Sequence, residues 1–239
     1  MNIALIFAGG TGQRMNAGTT PKQFLEMHGK PILIYTLEQF ENHDDIDGIV
    51  VVCLESWIPY LKKILNRFNI TKVKIVVPGG SSGQDSIFQG LCAVHQLYSS
   101  EDIVLVHDGV RPLIDSDTIT KAIRCTKANG NAVTVSPVVE TITVDNSETV
   151  INQIVDRNRC MVARAPQCFL VGDLYAAHIK AKIERRLDFI DSASLMKHYG
   201  HTLHWISGPD SNIKITTPTD FYLFRAIWDS KEDSKILGL

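Results

Sequence analysis

Apolar runs of strand length alternate with longer helix-like segments along most of this chain, and this alternation restricts the possible folds more than any other feature. It is typical of a mostly parallel sheet covered by helices, because each parallel strand needs a crossover to return to the same end of the sheet. The sequence predicts strands at residues 3–7, 47–54, 74–77, 103–107, 132–135 and 202–206. Helices are predicted at residues 31–40, 57–68, 85–98, 118–128, 171–185, 192–199 and 219–228.

Residues 138–170 interrupt the alternation. They are rich in Thr and Val and contain the turn Asp145-Asn146-Ser147, a pattern typical of paired strands and not of a covering helix. A chain of 239 residues with 44% hydrophobic residues is long enough to bury one substantial α/β core. We therefore predict a single α/β domain over residues 1–239, from which residues 138–170 protrude as a β arm.

Charge and cysteine content exclude several classes of protein. The 24 Lys and Arg residues nearly balance the 26 Asp and Glu residues, so no basic excess favours nucleic acid or a membrane surface as a partner. The five cysteines include no CxxC pair, which disfavours a zinc site or a disulfide framework and fits a reducing cytoplasm. The apolar run at residues 3–8 ends in glycines and predicts a buried strand, not a leader peptide. No run is long enough to span a membrane.

A glycine-rich turn follows the first predicted strand and contains Gly9, Gly10 and Gly12. Glycines at the carboxyl end of a strand allow backbone amides to approach a phosphate closely, although they also serve as simple turns. Met15 stands where the dinucleotide-binding fingerprint has its third glycine, and no Gly-Lys-Ser/Thr of a Walker A loop follows. A dinucleotide-dependent oxidoreductase is therefore a disfavoured alternative.

Further polar residues lie near the predicted carboxyl ends of strands. Arg14 and Lys22 share one loop, where two cations would neutralise the charge that develops in phosphoryl transfer. A second glycine segment, residues 79–86, suits either a helix N-terminus that faces a ligand or a capped loop. Asp108 follows the fourth strand, where a carboxylate is well placed for Mg²⁺, and Arg111 would hold a second anion. A helix cap and a surface arginine are the alternative interpretation.

Six motifs occur together in one order and give the chain a specific resemblance. They are Ala-Gly-Gly-x-Gly-x-Arg-Met, Pro-Lys-Gln-Phe, His-Asp-x-x-Arg-Pro, Asp-Arg-Asn, Pro-Gln-x-Phe and Asn-Ile-Lys-Ile-Thr. Over residues 3–225 the chain resembles the family of 2-C-methyl-D-erythritol 4-phosphate cytidylyltransferases and ribitol-5-phosphate cytidylyltransferases. The resemblance implies a Rossmann-like nucleotidyltransferase fold, CTP and a small polyol phosphate as substrates, and Mg²⁺ or another divalent cation as cofactor. It also implies a homodimer joined by the β arm.

The resemblance further implies roles for individual residues. Catalysis would depend on Arg14, Lys22, Asp108 and Lys214, with Arg14 and Lys22 on the triphosphate and Asp108 on the metal. The nucleotide would contact Ala8, Gly9, Gly10, Thr11, Gly12, Gly80, Asp85 and Ser86. The acceptor would be bound by Arg111, Thr141 and Arg157. Since Thr141 and Arg157 lie on the predicted arm, they would reach the site of the neighbouring subunit.

The predicted chemistry needs no general base. A phosphate monoester has a second pKa of about 6 and is largely dianionic at neutral pH, so its oxygen can attack the α-phosphorus of CTP directly. Catalysis would consist of positioning and charge neutralisation. The presence of Arg14, Lys22, Asp108 and Lys214 together disfavours a non-catalytic nucleotide-binding scaffold.

The acceptor is left open between two branches of the family. The resemblance favours ribitol 5-phosphate or a related pentitol phosphate for synthesis of a surface polymer. The alternative is 2-C-methyl-D-erythritol 4-phosphate, of isoprenoid biosynthesis. Departures from the usual motifs cluster where the acceptor would bind, namely at Ala165 with its neighbour Arg164, at Ile190, at Ser192 and at Glu140.

Overall fold

The computed structural model describes residues 1–10, 20–145 and 150–237. Eleven strands occur in this part of the chain: β1 Asn2–Ala8, β2 Glu26–Met27, β3 Lys30–Pro31, β4 Gly48–Cys53, β5 Val73–Pro78, β6 Ile103–Asp108, β7 Asn131–Pro137, β8 Ile142–Asp145, β9 Ile151–Val155, β10 Met161–Leu170 and β11 Trp205–Ser207. The helices are α1 Ile32–Glu41, α2 Ile58–Arg67, α3 Gly83–Leu97, α4 Ser116–Asn129, α5 Val171–Ile183, α6 Ser192–His198 and α7 Pro218–Leu237.

The central sheet has seven strands in the order β11-β7-β10-β6-β1-β4-β5. Pairing is parallel except that β10 runs antiparallel to both of its neighbours, β6 and β7. This arrangement confirms the predicted α/β class with a mostly parallel sheet and flanking helices.

Both faces of the sheet are covered, which explains why its central strands are apolar at consecutive positions. Alternate residues of β1 and β4 pack with α1, α2 and α4 on one face and with α3, α5 and α6 on the other. Side-chain caps begin three of these helices: Ser82 Oγ, Asp115 Oδ1 and Asp191 Oδ1 accept backbone hydrogen bonds at α3, α4 and α6. The helices thereby start at defined points along the sheet edge.

The structure shortens the predicted arm. Strands β8 and β9 pair with each other and lie outside the central sheet, as an arm requires. The second half of β10 instead pairs with β6 and β7, and Cys168 and Phe169 are fully buried on opposite faces of the sheet. Residues 165–170 therefore belong to the core, because their apolar side chains fill both faces.

Two smaller differences concern element lengths. Helix α7 continues nine residues beyond the predicted end at residue 228, and the last strand begins at Trp205 instead of residue 202. The β2–β3 hairpin was not predicted, since strands of two residues carry no readable periodicity. No helix in the described ranges is both long enough and apolar enough to cross a bilayer.

Candidate active site

Two neighbouring cavities open at the carboxyl ends of β1 and β6, the edge where ligands bind in open α/β sheets. The first has a volume of about 380 Å³ and the second about 280 Å³. Phe7, Gly83, Asp108 and Lys214 line both cavities and thus form their common boundary. Six further predicted residues line the first cavity: Ala8, Gly9, Gly10, Lys22, Gly80 and Ser86.

Gln23 holds the end of the first glycine loop. Its side chain is buried, and its Nε2 donates to the carbonyl oxygens of Ala8 at 2.6 Å and Gly10 at 3.1 Å. A Cβ atom added at Gly10 would meet no atom of the described residues within 4 Å. Gln23 belongs to the Pro-Lys-Gln-Phe motif, in which sequence reasoning assigned a role to Lys22 alone.

The second glycine loop is held by the start of α3. The Gly80 amide donates to Ser86 Oγ at 3.1 Å, and the Ser81 amide donates to Asp85 Oδ2 at 3.1 Å. A Cβ atom at Gly80 would lie 2.1 Å from Asp85 Oδ2, so only glycine fits this position without movement. In this structure Asp85 bonds to the loop and is not part of the cavity lining, so its contact with a nucleotide stays a prediction.

Asp108 is the buried centre of a charged group. Its Oδ1 lies 2.6 Å from Lys214 Nζ, and its Oδ2 accepts from Arg111 Nε at 2.7 Å. Burial by itself would raise the pKa of this carboxyl group, but the positive charges of Lys214 and Arg111 outweigh burial and hold the pKa below its usual value. An ionised carboxylate therefore stands at the boundary of the two cavities.

His107 precedes Asp108 and has a different function. Burial lowers its pKa to about 4, so the imidazole is neutral at physiological pH. Its Nε2 lies 3.2 Å from the carbonyl oxygen of Arg111. His107 therefore supports the turn that carries Arg111 and does not provide a base that titrates near neutral pH.

Half of the residues that line the second cavity are charged or polar, among them Arg111, Arg164, Gln167, Asp191 and Ser192. Asn212 connects this wall to the sheet: its carbonyl oxygen accepts from Arg111 Nη1 at 2.9 Å, and its Nδ2 donates to the Ala165 carbonyl at 2.7 Å. Sequence reasoning named Asn212 only as part of a motif and gave Arg164 no role. An arginine within the otherwise weakly polar β10 was the available signal.

The departures from the usual motifs line this second cavity, except for Glu140, which lines neither cavity. Ala165 and Ser192 line it and are buried, and Ile190 lines it with 91% of its surface exposed. Ala165, Ile190 and Ser192 therefore also lie close together in the structure.

Thr141 and Arg157 line neither cavity of the single chain. Arg157 is exposed, and its Nη1 donates to the carbonyl oxygen of Val139 at 2.7 Å. Their predicted contact with an acceptor in a neighbouring subunit stays a prediction. Thr11, Gly12 and Arg14 lie outside the described residues.

The comparisons with known proteins show which family the chain belongs to. Residues 2–230 match the family model described as IspD: 2-C-methyl-D-erythritol 4-phosphate cytidylyltransferase. The chain is 48% identical over 238 residues to a ribitol-5-phosphate cytidylyltransferase of Vibrio parahaemolyticus, with 100% of both chains covered. It is 38% identical over 222 residues to a 2-C-methyl-D-erythritol 4-phosphate cytidylyltransferase of Clostridium botulinum, covering 93% of this chain and 95% of that one.

A solved structure from Anaerococcus prevotii, a 4-diphosphocytidyl-2C-methyl-D-erythritol synthase, is similar in fold. Its TM-score is 0.82 at 26% sequence identity, over 95% of this chain and 96% of that chain. The family match and the relatives both extend over nearly the whole sequence. The chain therefore belongs to the 2-C-methyl-D-erythritol 4-phosphate cytidylyltransferase (IspD) family of cytidylyltransferases.

Proposed function

We propose that this protein transfers the cytidylyl group of CTP to ribitol 5-phosphate and releases CDP-ribitol and pyrophosphate. The observation that carries the proposal is the pair of cavities that meet at Asp108 and Lys214, one lined by glycine loops and the other by cationic side chains. The 48% identical, full-length Vibrio relative supports ribitol 5-phosphate over the methylerythritol phosphate, whose named relative is 38% identical. Family membership argues against the oxidoreductase alternative.

The first cavity would bind CTP. Glycines of both loops line it together with Lys22, so we assign the triphosphate to Lys22 together with Arg14. The cytidine would lie against Gly80 and Ser86, with Asp85 fixing the loop around it.

The carboxylate available between the cavities suits a metal ion that binds together with CTP. Among the described residues no group of three His, Cys, Asp or Glu side chains could hold a metal ion, and Asp108 is the carboxylate between the cavities. Mg²⁺ is commonly bound by one or two carboxylates together with substrate phosphates, so a single aspartate is sufficient. Bound there, Mg²⁺ would neutralise charge on the triphosphate as pyrophosphate leaves.

The second cavity would bind the acceptor, with Arg111 and Lys214 near its phosphate. An oxygen of this phosphate attacks the α-phosphorus of CTP, and the bond from that phosphorus to the bridging oxygen of pyrophosphate breaks. At neutral pH the attacking phosphate is already largely dianionic, so no side chain has to remove a proton. Lys214, which lines both cavities, would hold the reacting phosphates together.

The arm would join two subunits. It exposes several large apolar side chains, including Val139 at 70% and Ile154 at 67%, an arrangement that favours association. We propose one cytidylyltransferase domain whose dimerisation segment is the part of residues 138–170 that lies outside the core, residues 138–164, with Thr141 and Arg157 completing the acceptor site of the other subunit. The five free cysteines support a cytoplasmic location.

The reaction is tested by supplying CTP and Mg²⁺ with a panel of acceptors and measuring pyrophosphate release. We expect the highest kcat/KM with ribitol 5-phosphate. A higher value with 2-C-methyl-D-erythritol 4-phosphate would overturn the acceptor, and absence of release with every polyol phosphate would overturn the reaction. Binding of NAD(P) in place of CTP would favour the oxidoreductase alternative.

The shared site is tested by complementation between two inactive variants, Arg157→Ala and Lys214→Ala. If sites are shared, a heterodimer collects both lesions in one site and leaves the other intact, so activity returns after subunit exchange. If each subunit builds its own site, every site keeps one lesion. Low activity despite demonstrated heterodimers would overturn the shared-site model.

A further inference from the structure

Two guanidinium groups meet at one carbonyl oxygen in the wall of the second cavity. The Asn212 carbonyl accepts from Arg111 Nη1 at 2.9 Å and from Arg164 Nη1 at 3.4 Å. Both arginines line the cavity. Two positive charges are thus held side by side at a place where a ligand can reach them.

The two arginines differ in their counter-charge. Arg111 donates to the Asp108 carboxylate at 2.7 Å, whereas in the described part of the chain Arg164 has no ion pair with an Asp or Glu side chain within 4.0 Å. Burial lowers the pKa of Arg164, the neighbouring positive charge of Arg111 lowers it further, and the carboxylate of Asp210 raises it without restoring the usual value. The surroundings therefore disfavour the cation that Arg164 carries, and an anion beside it would relieve this cost.

The Arg164 side chain is held in a fixed position. Its Nε donates to the buried Ser136 Oγ at 2.7 Å, which leaves the Nη atoms at the far end of the fork. Asn212, at the other contact, is fully buried and is itself tied to the Ala165 carbonyl. The guanidinium of Arg164 is therefore already oriented before a ligand binds, and Arg164 loses little side-chain entropy on binding.

The local charge suits an anion. Three cations, Arg111, Arg164 and Lys214, and two carboxylates, Asp108 and Asp191, line the second cavity. Asp108 pairs with Arg111 and Lys214, and Asp191 caps α6, so among the described residues Arg164 is the lining cation without a carboxylate within 4.0 Å. Guanidinium groups present parallel N–H donors that match phosphate oxygens. An anionic phosphate group would offset this unpaired charge, which the neutral hydroxyl groups of a polyol would not.

We propose that Arg164 binds the phosphate group of the acceptor, beside Arg111, in the second cavity. The identity of the phosphate-bearing molecule rests on the proposed function, whereas the phosphate contact itself rests on the geometry of Arg164. Arg164 is thus a further acceptor-binding residue of the reaction.

The first test compares steady-state kinetics of Arg164→Gln, Arg164→Lys and the wild type with CTP and ribitol 5-phosphate. We expect Arg164→Gln to raise the KM for the acceptor about 10- to 100-fold, the range for loss of one charge-assisted contact, with the KM for CTP unchanged. Arg164→Lys should raise the acceptor KM less than Arg164→Gln does, because lysine keeps the positive charge but lacks the forked N–H donors of the guanidinium. Arg124→Gln, on the exposed face of α4, is the matched control and should behave as wild type.

The second test asks whether Arg164 contacts phosphate or polyol. Inorganic phosphate is used as a competitor of the acceptor at saturating CTP, after thermal melts have verified that each variant is folded. We expect Arg164→Gln to raise the inhibition constant of phosphate by a factor similar to the rise in acceptor KM. A raised acceptor KM with unchanged inhibition by phosphate would assign Arg164 to the polyol and overturn the proposal, as would an unchanged acceptor KM.

Failure of the proposed reaction gives a different result. In that case the wild type releases no pyrophosphate with any acceptor, while calorimetric titration with inorganic phosphate still compares wild type with Arg164→Gln. Weaker phosphate binding in the variant supports the Arg164 contact independently of the reaction, and equal binding overturns it.

Discussion

The first cavity is lined largely by main chain and small residues, whereas half of the residues that line the second are charged or polar. Gly9, Gly10 and Gly80 come from two short segments whose backbone is fixed by Gln23 and by the start of α3. Arg111 and Arg164 lie 53 positions apart in sequence and are held by one carbonyl oxygen. A surface made of main chain tolerates few substitutions, while a wall of side chains can change its ligand through single replacements that leave the fold intact. We therefore expect changes in the first cavity to affect CTP and changes in the second to affect the acceptor.

The largest effect is expected at the boundary between the cavities. Asp108→Asn removes the charge that pairs with Lys214 and Arg111, and it should lower kcat by about 10³-fold or more, at the upper end of the cost of losing one preorganised electrostatic group. Pyrophosphate release measures the effect, and a thermal melt verifies folding. Asp117→Asn removes an exposed helical ion pair with Lys121 and serves as the control. Activity of Asp108→Asn within a few-fold of wild type would remove Asp108 from the proposed centre.

Two alanine substitutions distinguish the glycine loops. Gly80→Ala places a Cβ atom 2.1 Å from Asp85 Oδ2, so the loop must shift, and both the melting temperature and CTP binding should fall. At Gly10 an added Cβ atom meets no atom of the described residues within 4 Å, so Gly10→Ala should keep the melting temperature while a methyl group enters the cavity. Each should raise the KM for CTP about 10- to 100-fold, the scale expected for a misplaced substrate. A rise in acceptor KM instead would contradict the assignment of the cavities.

The pH dependence of kcat/KM for the acceptor should follow the ionisation of the acceptor phosphate. At saturating CTP, kcat/KM for the acceptor should fall about tenfold per pH unit below about pH 6, because the attacking phosphate becomes monoanionic. Asp108, with its lowered pKa, and His107, with a pKa of about 4, remain in one protonation state across that range. A phosphonate analogue of higher second pKa should move the acid limb upward. An acid limb that does not move would point to an enzyme group.

The smallest effect concerns the helices under the first cavity. His178 of α5 packs on Phe88 of α3, and burial lowers its pKa to about 4. Burying neutral His178 leaves the folded state fully stable above pH 6.5, the approximate pKa of histidine in the unfolded chain. Below that pH the unfolded chain binds a proton at this histidine more readily than the folded chain does, so stability is lost as the pH falls towards 4. The melting temperature should therefore drop over this range, and His178→Gln should reduce the drop by a few degrees, about 1 kcal/mol in a chain of this size. His201→Gln, in a half-buried turn, is the control, and equal drops in both variants would contradict the role of His178.

The same contrast explains which parts of the molecule could be predicted from sequence. The glycine loops and Asp108 follow predicted strands directly, and strand ends converge at one edge of a parallel sheet, so local pattern was sufficient. The meeting of Arg164 with Asn212, 48 residues away, depends on the pairing of β10 with β7 and has no local signature. The arm boundary was missed for a related reason. Gln167 pairs with Val106 and Val133, and extended segments in an arm and in a core have similar composition.

Strand β10 has a consequence for the thermodynamics of assembly. Its first residues, Met161 and Val162, are exposed apolar groups next to the arm, and two positions further on Arg164 stands in the acceptor wall. In the proposed shared site, a second polypeptide that covers Met161 and Val162 would also bring its Thr141 and Arg157 to the acceptor that Arg164 contacts. Association and acceptor affinity would then be coupled by one free energy, so the acceptor must strengthen association by the same factor by which association strengthens acceptor binding.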